Sequence, residues 1–261
     1  MTIAIPILVG IGVSGVGIVI LLIIFLATII ITVLIVIIFS KLEHIPVDVI
    51  AKSGIEHYSC NYCSSDLLKE ANSLTKPYYR HEYVPDSVVE LWRTTNPKGF
   101  IQITDESGVL CASFGILALE QSFMKQFVQG RLSDTELEAK DILNFENSLK
   151  SSSLYISGVV VRDPNLPIGH RRACIMVWAM LEYFRKIYGP RKKRQVYALA
   201  VDDSSKNLLG KCGFIIAGQA ANRKDKLNLY MLELTSVSAN AIYSRIGEYS
   251  KMCDCNYTEV N

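Results

Sequence analysis

The stretch "PNLPIGHRRAC", residues 164–174, gathers residue types that bind anions. It follows a run of strand formers, "LYISGVVV" (154–161), and leads into an apolar run, 171–188, that reads as a buried helix. A helix N-terminus aims backbone N–H groups and the positive end of the helix dipole at a phosphate. Arg171 and Arg172 would add guanidinium forks to such a site. The plain alternative is two solvated arginines, although cations there oppose the dipole.

Two other groups have chemistry to offer. Cys60 and Cys63 form a CxxC, and Cys253 and Cys255 form a CxC near the C-terminus. Four thiolates brought together would hold zinc; free thiols are the preferred reading, and no metal is expected. "PYYRHEY" (77–83) supplies the phenol of Tyr79 and two possible bases, His81 and Glu82. A surface loop with tyrosines packed on a sheet edge explains it equally well.

These residues need elements to hold them. "SSDLLKEANSL" starts with cap-type residues at Ser64–Asp66 and puts Leu67, Leu68, Ala71 and Leu74 on one helical face. A short second helix is expected around Val88–Trp92. "GFIQITDESGVLCASFGILAL" reads as two strands joined by the turn "DESG". Residues 120–150 read as helical, with Ser133 or Asp134 capping before Glu136. The strand 154–161 is apolar throughout, as in a strand buried on both faces. "QVYALAV", "FIIAG" and "LNLYMLEL" are further strands, and "DDSSKNLLGKCGF" is a capped helix ending in a turn. The predicted order is helix, helix, strand, strand, helix, strand, helix, strand, helix, strand, strand. A βαβ centre with antiparallel flanks makes an α/β (α+β) fold with a mixed, mostly antiparallel sheet covered by helices.

The N-terminus is of another kind. Between Ile3 and Phe39 there is no charged residue, which is length enough for a membrane-spanning helix. One span is preferred to a hairpin because no polar turn divides the stretch, although the glycines at positions 10–17 would suit a tight interior turn or a close helix-packing face. The first cation beyond it, Lys41, places the C-terminal bulk in the cytoplasm by the positive-inside tendency. Seven scattered cysteines suit a reducing compartment. The expected organisation is a transmembrane segment (1–40, a single span or a hairpin), a juxtamembrane connector (41–60), a folded α/β domain (61–235) and a tail (236–261). A net charge of +2 gives no argument for nucleic acid. "RKIYGPRKKR" reads as a solvated loop, or as a contact for anionic headgroups of the bilayer.

Over about residues 60–235 the chain resembles the GNAT (GCN5-related N-acetyltransferase) superfamily. The resemblance rests on the hairpin "GFIQITDESGVLCASFGIL", on "LYISGVVV" followed by "IGHRRACIMVWAMLEYFRK", and on the turn "LLGKCGF". It implies acetyl-CoA or another acyl-CoA as co-substrate and an amine as acceptor. The main chain of Val159, Val160 and Val161 would pair with the pantetheine arm, and Gly169, His170, Arg171, Arg172 and Ala173 would form the pyrophosphate loop. Tyr79, His81 and Glu82 would line the acceptor site. The chain departs from the superfamily's glycine-containing loop pattern, with Gly169, Arg172 and Cys174 at its three marked positions. The tyrosine that often protonates the departing thiolate is replaced by Leu209, so no catalytic acid is assigned.

The resulting expectation is a membrane-anchored, acyl-CoA-dependent N-acyltransferase. The alternative is a degenerate member of the same fold used as a tethered sensor or interaction module. A longer acyl donor is a third expectation.

Overall fold

The computed structural model describes residues 48–51, 58–79, 83–188, 193–242, 244 and 257–259. The chain divides into Met1–Ile45 and Pro46–Asn261, and every described residue falls in the second unit. The expected transmembrane segment lies outside the described residues, as do His81, Glu82, Cys253 and Cys255. Among the described residues no helix is long and apolar enough to cross a membrane.

In chain order the elements are β1 (Asp48–Ala51), β2 (Tyr58–Tyr62), α1 (Ser65–Tyr79), α2 (Asp86–Thr95), β3 (Phe100–Asp105), β4 (Leu110–Leu117) and α3 (Gln121–Val128). There follow β5 (Ser153–Val161), α4 (Pro167–Tyr183), β6 (Arg194–Ala200), α5 (Asp203–Lys211), β7 (Ile215–Gly218), β8 (Asn228–Leu234) and β9 (Tyr257–Glu259). The nine strands form one sheet in the order β7-β8-β6-β5-β4-β3-β2-β1-β9. All neighbours are antiparallel except β5 and β6, whose parallel pairing requires the crossover that α4 provides. From α1 to β8 the succession of helices and strands is the one expected.

The two faces of the sheet carry separate cores. Leu154, Ile156, Val196 and Ala198 pack with Ile175, Met176 and Leu181 of α4, and Leu208 and Leu209 of α5 join them. On the other face Tyr155, Tyr197 and Leu229 pack with Leu68 of α1, Trp92 of α2 and Phe123 and Phe127 of α3. Buried apolar side chains of this size each contribute about 1.5–3 kcal/mol. α4 is apolar nearly all round and packs on β4 and β5, with most of its residues from Cys174 to Tyr183 buried, and it ends in a π-helical turn, Phe184–Tyr188.

Several expectations are corrected. Residues 41–60 are not only a connector, since they contain β1 and most of β2, which extend the sheet. Residues 120–150 are not one helical stretch: after α3 come two 3-10 turns, Asp134–Glu136 and Ala139–Asp141, and one α-helical turn, Phe145–Ser148, with Ile142 bridged to Leu119. Helix α1 continues through Pro77 to Tyr79, so "PYY" is helix rather than loop. A helical stretch, 236–242, occupies the start of the expected tail, and its Ile242 enters the α4-side core. "RKIYGPRKKR" is not wholly a solvated surface, because Arg194 is 2% exposed, bonds the carbonyls of Ser151 and Leu149, and lies over the Tyr188 ring. In the β7–β8 connection, Arg223 and Asp225 form a fully buried pair at 2.5 Å, and Arg223 also donates to the Phe127 carbonyl at 2.7 Å. Periodicity is blind to such a pair because both residues read as solvated turn.

Candidate functional site

The site begins with a mismatch in the pairing of β5. Its bonds to β6 run from Ser153–Gln195 to Ile156–Ala198 and stop there. Its pairing with β4 continues to Val161, opposite Ala112. The two parallel strands therefore part after Ile156, and the β6-facing edge of Ser157–Val161 is left without a strand partner. Buried backbone N–H and C=O groups need partners, so an edge opening into a cleft is a ready acceptor for a ligand that can hydrogen-bond along it.

A bulge helps to produce the opening. Gly115 pairs with Gly158 and Ile116 with Ile156, so Ser157 is an extra residue in β5. One inserted residue reverses which face each later side chain occupies. Tyr155 faces α1–α3, and without the bulge Val159 and Val161 would face the same way. Instead Val159 and Val161 pack toward α4, and Val160 packs against Ala71 of α1. Gly115 lies beside the bulge, and a Cβ there would sit 2.3 Å from Ser157 Oγ.

The cleft entered through this opening has a volume of about 840 Å³. Gly158–Val161 form one wall. Pro164, Asn165, Gly169, His170 and Ala173 lie along the loop and first turns of α4, while Asp202, Ser204, Asn207 and Lys211 line the α5 side. Met176, Met180, Phe214 and Ile242 make the interior apolar, and Tyr78 and Tyr79 of α1 also line it. Asp202 is committed to capping α5, its Oδ1 accepting the Ser205 N–H at 2.7 Å. Leu209 lines the cleft and has no proton to give.

The loop is held from inside. Asp163 adopts the left-handed conformation (φ 55°), and its carbonyl accepts the Leu166 N–H at 3.0 Å. Gly169 packs directly under this turn: a Cβ would lie 2.0 Å from the Asp163 carbonyl oxygen, so only glycine fits. Arg172 is 8% exposed and turned inward, donating to Asp163 Oδ2 at 3.1 Å and the Arg162 carbonyl at 3.4 Å. Arg162 in turn donates to the Leu110 carbonyl at 2.6 Å and pairs with Glu70 of α1. The two adjacent arginines thus differ: Arg172 fastens the loop to the end of β5, and neither it nor Arg171 is part of the cleft lining. The expectation that both forks reach a phosphate is corrected for Arg172 on this ground. Helix α4 also offers few donors at its start, since Pro167 has no N–H and Gly169 N–H is bonded to the Leu166 carbonyl.

Of the other sequence-predicted residues, Val159, Val160, Val161, Gly169, His170, Ala173 and Tyr79 are brought together around the cleft. Burial, followed by the negative charges of Asp134 and Asp202, holds the Tyr79 phenol above its ordinary value, so it remains protonated at neutral pH. Cys60 and Cys63 are buried in different cores, Cys60 on the α4 side and Cys63 with α1 and α2. Burial is the main cause that pushes the Cys63 thiol up to about 12. No group of three metal-binding side chains occurs among the described residues. Cys212 and Met176 line the cleft although nothing in the sequence marks them, and Asp134, expected as a cap, lines a smaller recess instead.

No protein-family model and no curated protein sequence matches the chain. Solved structures to which it is similar include a GNAT-family acetyltransferase from Listeria monocytogenes, at 14% identity and TM-score 0.45, covering 72% of this chain and all of that one. A spermidine N-acetyltransferase from Vibrio cholerae, in complex with CoA and spermine, is similar at 10% identity and TM-score 0.44, covering 70% of this chain and 98% of that one. A GNAT superfamily phosphinothricin acetyltransferase from Sinorhizobium meliloti, in complex with AcCoA, is similar at 10% identity and TM-score 0.41, with 68% and 89% covered.

Proposed function

We propose that the protein is a membrane-anchored N-acyltransferase that takes the acyl group of acetyl-CoA or a related acyl-CoA. The observation that carries this reading is the parting of β5 and β6 after Ile156, with one backbone edge open to a deep cleft and a helix N-terminus at its mouth. Such an edge can pair with the amides of a pantetheine arm, while the apolar interior excludes water from the thioester. The anchor is the uncharged N-terminal stretch from Ile3 to Phe39, with the domain on the cytoplasmic side.

The transfer itself asks for alignment and for a place to put protons. The acceptor amine, having lost one proton to solvent, attacks the thioester carbon. A C–N bond forms as the C–S bond breaks, and the second N–H proton ends on the departing thiolate, giving amide and free thiol. Tyr79 relays that proton in place of Leu209, giving its phenol proton to the sulfur and regaining one from the amine nitrogen: it lines the cleft and is protonated at neutral pH. Arg171, nearer solvent than Arg172, supplies charge toward the phosphates.

A second reading is favoured by one observation, the shortage of free donors at the start of α4. On that reading the fold binds an acyl-CoA weakly and acts as a tethered sensor. Calorimetry of the full chain in detergent with acetyl-CoA, followed by product analysis over a panel of amines, separates the two. Binding with amide formation is the expected result. Binding without any product favours the sensor, and absence of binding at high micromolar acetyl-CoA overturns the acyltransferase.

A further inference from the structure

A second, smaller recess of about 70 Å³ lies on the α1–α2 side of β5. It shares Thr75, Tyr79 and Gly158–Val160 with the large cleft, so one wall serves both. Its other walls are Trp92, Phe100 and Phe114, with Asp134 among them. Asp134 is 3% exposed, and its Oδ2 accepts the Tyr155 hydroxyl at 2.8 Å. The loop that carries it is fixed by the Ser133–Glu136 capping box. It is also tied to the indole, since Trp92 Nε1 donates to the Leu137 carbonyl at 3.0 Å. Carboxylate and aromatic ring are therefore held by one small scaffold.

Aromatic faces attract cations, and a desolvated carboxylate forms strong charge-assisted hydrogen bonds with an ammonium. The same walls give no comparable interaction to a neutral or anionic group, and burying an anion beside Asp134 is costly. The recess has room for a compact head group and its first methylenes, while a bulky aromatic amine does not fit. Tyr79 and Asp134 line the same recess, and burial first and the charge of Asp134 next raise the Tyr79 phenol.

We propose that this recess binds a primary alkylammonium, with Asp134 as the positioning and specificity-determining residue. The identification of that ammonium as the acyl acceptor rests on the acyltransferase reading of the cleft; the binding of the cation does not.

The chain has two tryptophans, so Trp178→Phe in the full-length protein leaves Trp92 as its only indole. Its fluorescence is titrated with n-butylammonium chloride and with 1-butanol, both without acyl-CoA. A saturable change with the ammonium and none with the alcohol at equal concentration is the expected result. Asp134→Asn is expected to weaken the ammonium response about tenfold, with acetyl-CoA affinity retained as the control for folding. If that variant does not fold, the ammonium-against-alcohol contrast on the parent protein decides alone. Equal responses to the two probes, or an undiminished ammonium response in folded Asp134→Asn, overturn the proposal. A saturable ammonium response in a protein that forms no amide would sink the acyltransferase reading and leave the cation site standing.

Discussion

In β5, Ser153–Ile156 pair with β6, and Tyr155 and Ile156 pair with β4 as well, whereas beyond the bulge Gly158–Val161 pair with β4 alone. Leu154 and Tyr155 are closed into the two cores, while Ser157, Gly158 and Val159 are only half-buried. One strand thus changes from a structural beam to an open rail within a single residue, and the bulge at Ser157 is where it changes. Fully paired backbone has nothing left to offer a ligand. A strand anchored by one half can leave its other half unpaired without losing its place.

The strongest way to break this contrast is deletion of Ser157. Removing the extra residue returns Gly158–Val161 to the opposite faces, and loss of acetyl-CoA binding altogether is expected by calorimetry. Leu154→Ala attacks the closed half: it should cost about 2–5 kcal/mol in denaturant unfolding, with acetyl-CoA affinity unchanged in the fraction that folds. Gly169→Ala attacks the loop beside the open half. Its Cβ would meet the Asp163 carbonyl at 2.0 Å, so the turn must move, and about tenfold weaker acetyl-CoA binding is expected.

The adjacent arginines sharpen the comparison further. Arg172→Ala should lower stability by about 1–3 kcal/mol, because it leaves Asp163 and the loop unfastened. Arg171→Ala should leave stability alone and reduce the salt dependence of acetyl-CoA affinity, a change worth about 1 kcal/mol or less. The smallest effect at neutral pH comes from Tyr155. Burial, then the charge of Asp134, raises its phenol well above the ordinary 10.0. A raised folded-state value means that its contribution is intact below about pH 10 and is lost as pH climbs further, where only the unfolded chain ionises. The unfolding midpoint should be flat through neutral pH and fall above about 10, less steeply in Tyr155→Phe.

Much of the scaffold was legible in the sequence. "DESG" between two apolar runs, and the unbroken apolar character of 154–161 and 171–188, are local signals of the kind that hydrophobic pattern carries. The site was legible only in outline. Gly169 and Ala173 could be placed at a loop, but nothing in "HRRAC" tells that Arg172 turns inward to Asp163 while Arg171 does not. The bulge at Ser157 is equally silent, since an apolar run looks the same with or without one extra residue. Asp134 reads as one of two possible helix caps, but Ser133 is the cap, and the place of Asp134 at the wall of a recess depends on Tyr155 and Trp92, far from it in sequence. Arg194, Arg223 and Asp225 escaped because charged residues in turns are usually solvated, and only tertiary contacts show them buried.

The central claim is that the open half of β5 receives an acyl-CoA through its backbone. Amide hydrogen exchange of the full-length protein, with and without saturating acetyl-CoA, tests it directly. The account predicts that amides within Ser157–Val161 become slower to exchange when acetyl-CoA is added, while those of Ser153–Ile156, where β5 is paired with β6, do not change. Unaltered exchange in Ser157–Val161 under saturation, or protection confined to another part of the chain, would contradict it.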